Sequence, residues 1–170
     1  MNRLLNIINA RLSLRHPQHR SLEIMADVLE QISLGKQSDP AQALKVIQGA
    51  YPTVSDFERD FPSLCFALAT GVGKTRLMGA FIAYLYLSER SKHFFVLAPN
   101  RTIYEKLILD FSPESTKYVF KGISEFANTP PIIITGDNYE QGLGVRMDYA
   151  GAGTTIQGRF FDSGDTAYIN

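Results

Sequence analysis

A chain of 170 residues, 45% hydrophobic and 20% charged, is long enough to bury one core. Its 17 Lys and Arg balance 17 Asp and Glu, so no overall charge points to a polyanion partner, although a local basic stripe would suffice for one. The one cysteine, Cys65, excludes an internal disulfide or a cysteine-built metal site and is expected to be a buried core thiol. The most apolar stretch, "MGAFIAYLYL", has about half the length that a membrane-spanning helix needs. No membrane partner is expected, and the composition fits a soluble cytoplasmic domain.

The first 60 residues read as a helical N-terminal extension. "NRLLNIINARLSLRH" has charges throughout and apolar spacing suited to an amphipathic helix near 2–13, not to a leader peptide. A second helix runs from Pro17, a first-turn residue, to about Ile32. After the turn signal "SLGKQSDP" a third occupies 41–50. From Phe61 onward, short apolar runs alternate with helical stretches. "SLCFALA" (63–69) reads as a strand, 74–89 as a helix, "HFFVLAP" as a strand and 101–110 as a helix. "KYVFKG" and "PIIITG" follow as further strands. Such a pattern predicts an α/β domain over 61–170 whose parallel sheet is covered on both faces. Ligands in such sheets bind beyond the carboxyl ends of the strands. Residues 141–165 are Gly-rich and aperiodic, which predicts a long mobile loop or insertion.

"LATGVGKT" (68–75) joins the first expected strand to the helix at 74. Gly71 and Gly73 lack a Cβ, so the backbone can curl and turn successive N–H groups inward. The helix start adds further donors and the positive end of its dipole. Lys74 can reach β- and γ-phosphates, and the Thr75 hydroxyl can bind Mg²⁺. Lys74 and Thr75 are therefore the catalytic candidates. The candidate ATP contacts are Thr70, Gly71, Val72, Gly73, Lys74, Thr75 and Arg76. The general P-loop pattern has glycine where this chain has Leu68, so the match to it is partial.

A second strand-to-helix turn lies in "FFVLAPNRTIYEKLILDF" (94–111). Asn100 is a plausible N-cap, and the helix-start donors together with Arg101 suit a phosphate. Asn100, Arg101 and Thr102 are the nucleic-acid candidates. His16, His19 and His93 lack a ligand spacing and read as surface residues.

"ATGVGKT" (69–75) and "PNRTI" (99–103) together resemble the first two motifs of superfamily 2 helicase-like motors, A-T-G-x-G-K-T and P-T-R-x-L. The second departs at Asn100 and Ile103. "FPSLCFALATGVGKTRLMGAFIAYLY", "KYVFKGISEFA" and "PIIITGDNYE" look most like the DEAD/DEAH-box motor (restriction) subunit of type III restriction enzymes, over most of residues 12–140. The resemblance implies a first RecA-like ATP-binding lobe, ATP and Mg²⁺ at Gly71, Gly73, Lys74 and Thr75, and a DNA-strand phosphate at Arg101. "LRHPQ" (14–18) resembles the preceding element whose glutamine reads the adenine edge, which makes Gln18 a cofactor candidate. Double-stranded DNA and a modification subunit are the implied partners.

Motors of this type also hold Mg²⁺ through an acidic motif at a later strand end. No Asp-Glu-x-His-like sequence occurs here, and Asp137 with Glu140 in "TGDNYE" fits the intermediate strand better. The lobe is accordingly expected to be incomplete, the N-terminal portion of a larger protein and inactive by itself. Two alternatives use the same loop: a stand-alone nucleotide-binding module without catalysis, and a P-loop small-molecule kinase. The kinase would need a lid of basic residues, and no Arg-rich stretch supplies one.

Overall fold

The computed structural model describes residues 3–32, 38–140 and 155–160. The chain divides into two compact units, Leu14–Leu77, and Met1–Ser13 together with Met78–Asn170.

The unit Leu14–Leu77 is built on α2 (His16–Gln31) and α3 (Pro40–Ala50); α1 (Arg3–Leu12) belongs to the other unit. Pro17 lies in the first turn of α2, where its missing N–H costs no helix bond. Asp39 caps α3 by accepting a hydrogen bond from the Ala41 N–H at 2.9 Å. Val28 and Ile32 pack with Ala43, Ile47 and Phe57 into a small core, with Leu44, Tyr51 and Val54 against it. Burying each of Val28, Ile32, Ile47 and Phe57 is worth about 1.5–3 kcal/mol. Gln48 Nε2 donates to the Val54 and Ser55 carbonyls, both at 3.1 Å, and ties the chain after α3 back to the helix.

The expected strand at 63–69 is not formed. Residues 62–69 have no regular secondary structure, Leu64 is 41% exposed, and Cys65 is exposed rather than a core thiol. A run of apolar residues becomes a strand only where a neighbouring strand takes up its N–H and C=O groups. Among the described residues none pairs with it.

The other unit holds α1, most of α4 (Lys74–Leu87), α5 (Arg101–Phe111), the short helices α6 (Ser124–Asn128) and α7 (Gly136–Glu140), and three strands. Strands β1 (His93–Ala98) and β2 (Ile132–Ile134) match the expected runs, and each pairs in parallel with β3 (Thr155–Phe160). The order is β1-β3-β2, with His93 and Ile132 both opposite Thr155. Residues 155–160 fall inside the stretch expected to be a loop; the rest of 141–165 lies outside the described residues. One sheet face packs on α5, and Val96, Ala98 and Ile133 line a small cavity there with Tyr104, Leu107 and Phe111. The opposite face of β1 is not covered as expected, since Phe95 and Leu97 are about half exposed.

"KYVFKG" is also not a strand. Its residues form successive turns, with Val119 N–H donating to the Asp110 carbonyl at 2.8 Å and Ile123 N–H to that of Phe120 at 2.9 Å. Aromatic packing takes up this run. Phe120 stacks on Phe126 at 4.3 Å between centroids, and Tyr118 meets Phe120 edge-on at 5.7 Å. The Tyr118 hydroxyl donates to the Phe126 carbonyl at 3.2 Å. Burial, and then the charge of Glu114, push its pKa up to about 12. Close backbone approach completes the packing: a Cβ on Gly122 would lie 2.3 Å from the Arg11 carbonyl oxygen.

Candidate functional site

The glycine loop lies within the unit Leu14–Leu77. Gly71 has φ +83° and Gly73 φ +92°, both in the region that side chains disfavour, so the loop requires its two glycines. A turn closed by the Val72 N–H on the Ala69 carbonyl begins the curl. Helix α4 then opens at Lys74, with the Gly73 carbonyl accepting from the N–H groups of Arg76 at 3.1 Å and Leu77 at 3.2 Å. A helix opening directly from such a loop presents N–H groups without intrahelical acceptors. Gly71, Gly73, Lys74, Arg76 and Thr70 are exposed, and Val72 and Thr75 are partly so. The Lys74 ammonium lies back along the loop and donates to the Ala69 carbonyl at 3.3 Å.

Two residues from the start of α2 hold this loop. Gln18 is only 1% exposed. Its Nε2 donates to the carbonyls of Val72 at 3.0 Å and Gly73 at 2.8 Å, and its Oε1 accepts from the Arg15 N–H at 2.7 Å. Arg15 Nη1 donates to the Gly71 carbonyl at 3.1 Å. Gln18, the candidate for the adenine edge, has its amide engaged by these backbone groups, contacts that the sequence reading did not include. Arg15 was missed. Its place within "LRHPQ" was the available signal, yet nothing in the spacing ties an arginine to a carbonyl 56 residues on.

The second candidate cluster belongs to the other unit. Asn100 caps α5 as expected, its Oδ1 accepting from the Ile103 N–H at 2.9 Å. Arg101 and Thr102 are exposed on the first turn. Arg101 Nε donates to Glu105 Oε1 at 2.8 Å, one turn on. That hydrogen bond, with the charge of Glu105 behind it, raises the guanidinium pKa above its ordinary value. Asp137 and Glu140 lie on α7 and Cys65 in the segment before the loop. No group of three or more His, Cys, Asp or Glu among the described residues is placed to hold a metal ion.

Parallel strands, and a left-handed glycine loop running into a helix that opens on Lys-Thr, are the features of a P-loop α/β protein. The chain belongs to the family of the type III restriction enzyme res subunit, whose family model matches residues 11–157. Membership implies a superfamily 2 helicase-like motor domain with a RecA-like lobe, ATP use and interaction with DNA. Comparison with curated proteins and with solved structures gave no match. Among the described residues, no helix is long and apolar enough to cross a membrane.

Proposed function

We propose that this chain is the ATP-binding N-terminal portion of a DNA-translocating motor, the restriction subunit of a type III restriction-modification or related phage-defence system. The observation that carries the reading is the loop itself: two glycines at positive φ lead straight into a helix beginning with Lys74, in a member of this family. In this assignment residues 1–60 are a helical extension and 61–170 belong to a first RecA-like lobe. Thr70 to Arg76 would surround the phosphates of ATP, Lys74 would neutralise the β- and γ-phosphates, and Thr75 would offer its hydroxyl to Mg²⁺. The residues present fit a bound triphosphate, because Gly71 leaves open space where a Cβ would stand and a cation and a hydroxyl follow at 74 and 75. A Mg²⁺ bound there would supply charge neutralisation for the phosphate oxygens.

At the start of α5, Arg101 and Thr102 contact a strand phosphate of duplex DNA, and Asn100 fixes the turn that presents them. A modification subunit is the proposed protein partner. Phosphate release by the full-length protein, with and without duplex DNA, tests this reading. Stimulation by DNA that disappears in Lys74→Ala is expected. Turnover indifferent to DNA, or equal in the variant, would contradict it.

A further inference from the structure

Arg101 opens α5 at the end of a helix where a cation is disfavoured. The positive end of the dipole lies there, and the first turn holds no acidic residue to balance it. Asn100 Oδ1 takes the Ile103 N–H, while the N–H groups of Arg101 and Thr102 have no acceptor within the helix. Every one of these features favours an anion beside Arg101.

The anion that stands there is the chain's own. Arg101 Nε donates to Glu105 Oε1 at 2.8 Å, one turn further along α5. The order is the weaker one for such a pair, with the base preceding the acid. Both side chains are open to water, at 79% and 57% exposure, so the contact is held loosely and can be exchanged. Glu105 engages Nε, one of the five donors with which an arginine grips a phosphate. Its negative charge also opposes the approach of a second anion to the same guanidinium.

We infer that Glu105 is an internal competitor for the strand phosphate: it holds the Arg101 guanidinium along α5 in the free protein and gives it up when duplex DNA binds. This rests on the reading of Arg101 as a phosphate contact, and Glu105 acts through Arg101 as a positioning residue. Its consequence is a hold on DNA weaker than Arg101 alone would give, by the same factor on every sequence, because a phosphate carries no base information. Such a restraint suits a protein that has to release each phosphate as it moves.

The test is a double-mutant cycle on duplex DNA binding by the full-length protein, with two duplexes of unrelated sequence at one fixed salt concentration. Glu105→Gln keeps the length of the side chain, its helix propensity and an acceptor oxygen for Arg101, and removes only the charge. Binding should tighten about two- to fivefold on both duplexes, the weight of an exposed ion pair. In an Arg101→Ala background the same change should have no effect, since no guanidinium remains to be released. A gain that persists there would overturn the inference, because it would mean only that a negative charge had been taken away from the DNA. A gain on one duplex alone would overturn it too. So would unchanged or weaker binding by Glu105→Gln, and weaker binding would make Glu105 a brace for Arg101. Should Arg101→Ala by itself bind DNA as tightly as the wild type, the phosphate reading of Arg101 would fall, and this inference with it.

Discussion

Replacing Gly73 by alanine should cost far more than the same change two residues earlier. Both positions have positive φ, at +83° for Gly71 and +92° for Gly73, so alanine at either meets backbone strain of roughly 1–2 kcal/mol. At Gly71 nothing lies within 4 Å of the added Cβ, and strain is the whole effect. At Gly73 the Cβ would lie 2.7 Å from Gln18 Nε2, well inside contact distance. Gln18 is buried and cannot swing into water, so it must leave the carbonyls of Val72 and Gly73. Two hydrogen bonds at about 0.5–1.5 kcal/mol each are then lost. Gly73→Ala should therefore destabilise by roughly 2–5 kcal/mol, against about 1–2 for Gly71→Ala. Urea unfolding at constant m measures both. The gap should close in a Gln18→Ala background, where the clash has been removed. Equal costs in the wild-type background, or a gap that survives removal of Gln18, would refute the reasoning.

Three further outcomes are expected. The Tyr118 hydroxyl, normally titrating near 10, is raised to about 12 in the fold, so its neutral form is favoured there. The stability this gives is complete below pH 10 and is lost as pH rises from 10 toward 12. Tyr118→Phe should remove that alkaline decline in a pH series of thermal melts, and an unaltered decline would count against it. Gly122→Ala should destabilise by about 1–3 kcal/mol in urea, because its Cβ meets the rigid Arg11 backbone rather than a side chain that can yield. Arg101→Ala in the full-length protein should weaken DNA binding evenly across sequences and lower the salt slope by about one, as loss of a phosphate contact does. An effect confined to one recognition sequence would argue against a phosphate contact.

Helices were legible from sequence because their signals are local. Pro17 and Asn100 mark helix starts by local chemistry, and both lie where that chemistry put them. The glycine loop was legible for the same reason, since positive φ at Gly71 and Gly73 is a property of the residue type. Strands depend on partners distant in sequence, and there the reading was uneven. "SLCFALA" is as apolar as "HFFVLAP", and "KYVFKG" holds three consecutive β-favouring residues, yet of these runs only "HFFVLAP" is in a ladder. "KYVFKG" folds into turns because Tyr118 and Phe120 find their burial among aromatic rings. Conversely β3, "TIQGRF", has a glycine and two charged or amide side chains in six residues, and so carried no strand signal. Its place between β1 and β2 follows from pairing on both edges. The contact of Gln18 with residues 72 and 73 was invisible for a related reason. A pair more than 50 positions apart leaves no periodicity to read.

The central claim is that the loop at 70–76 holds the phosphates of ATP, and calorimetric titration of Mg-ATP into the wild-type chain and Lys74→Ala tests it most directly. Lys74 is exposed and donates to the Ala69 carbonyl at 3.3 Å, so the substitution should leave the far-UV spectrum and the melting temperature unchanged. A charge-assisted phosphate contact is worth about 1.5–3 kcal/mol, which predicts a Kd weakened by roughly 10–150-fold. Equal ATP affinities for the two folded proteins would contradict the account.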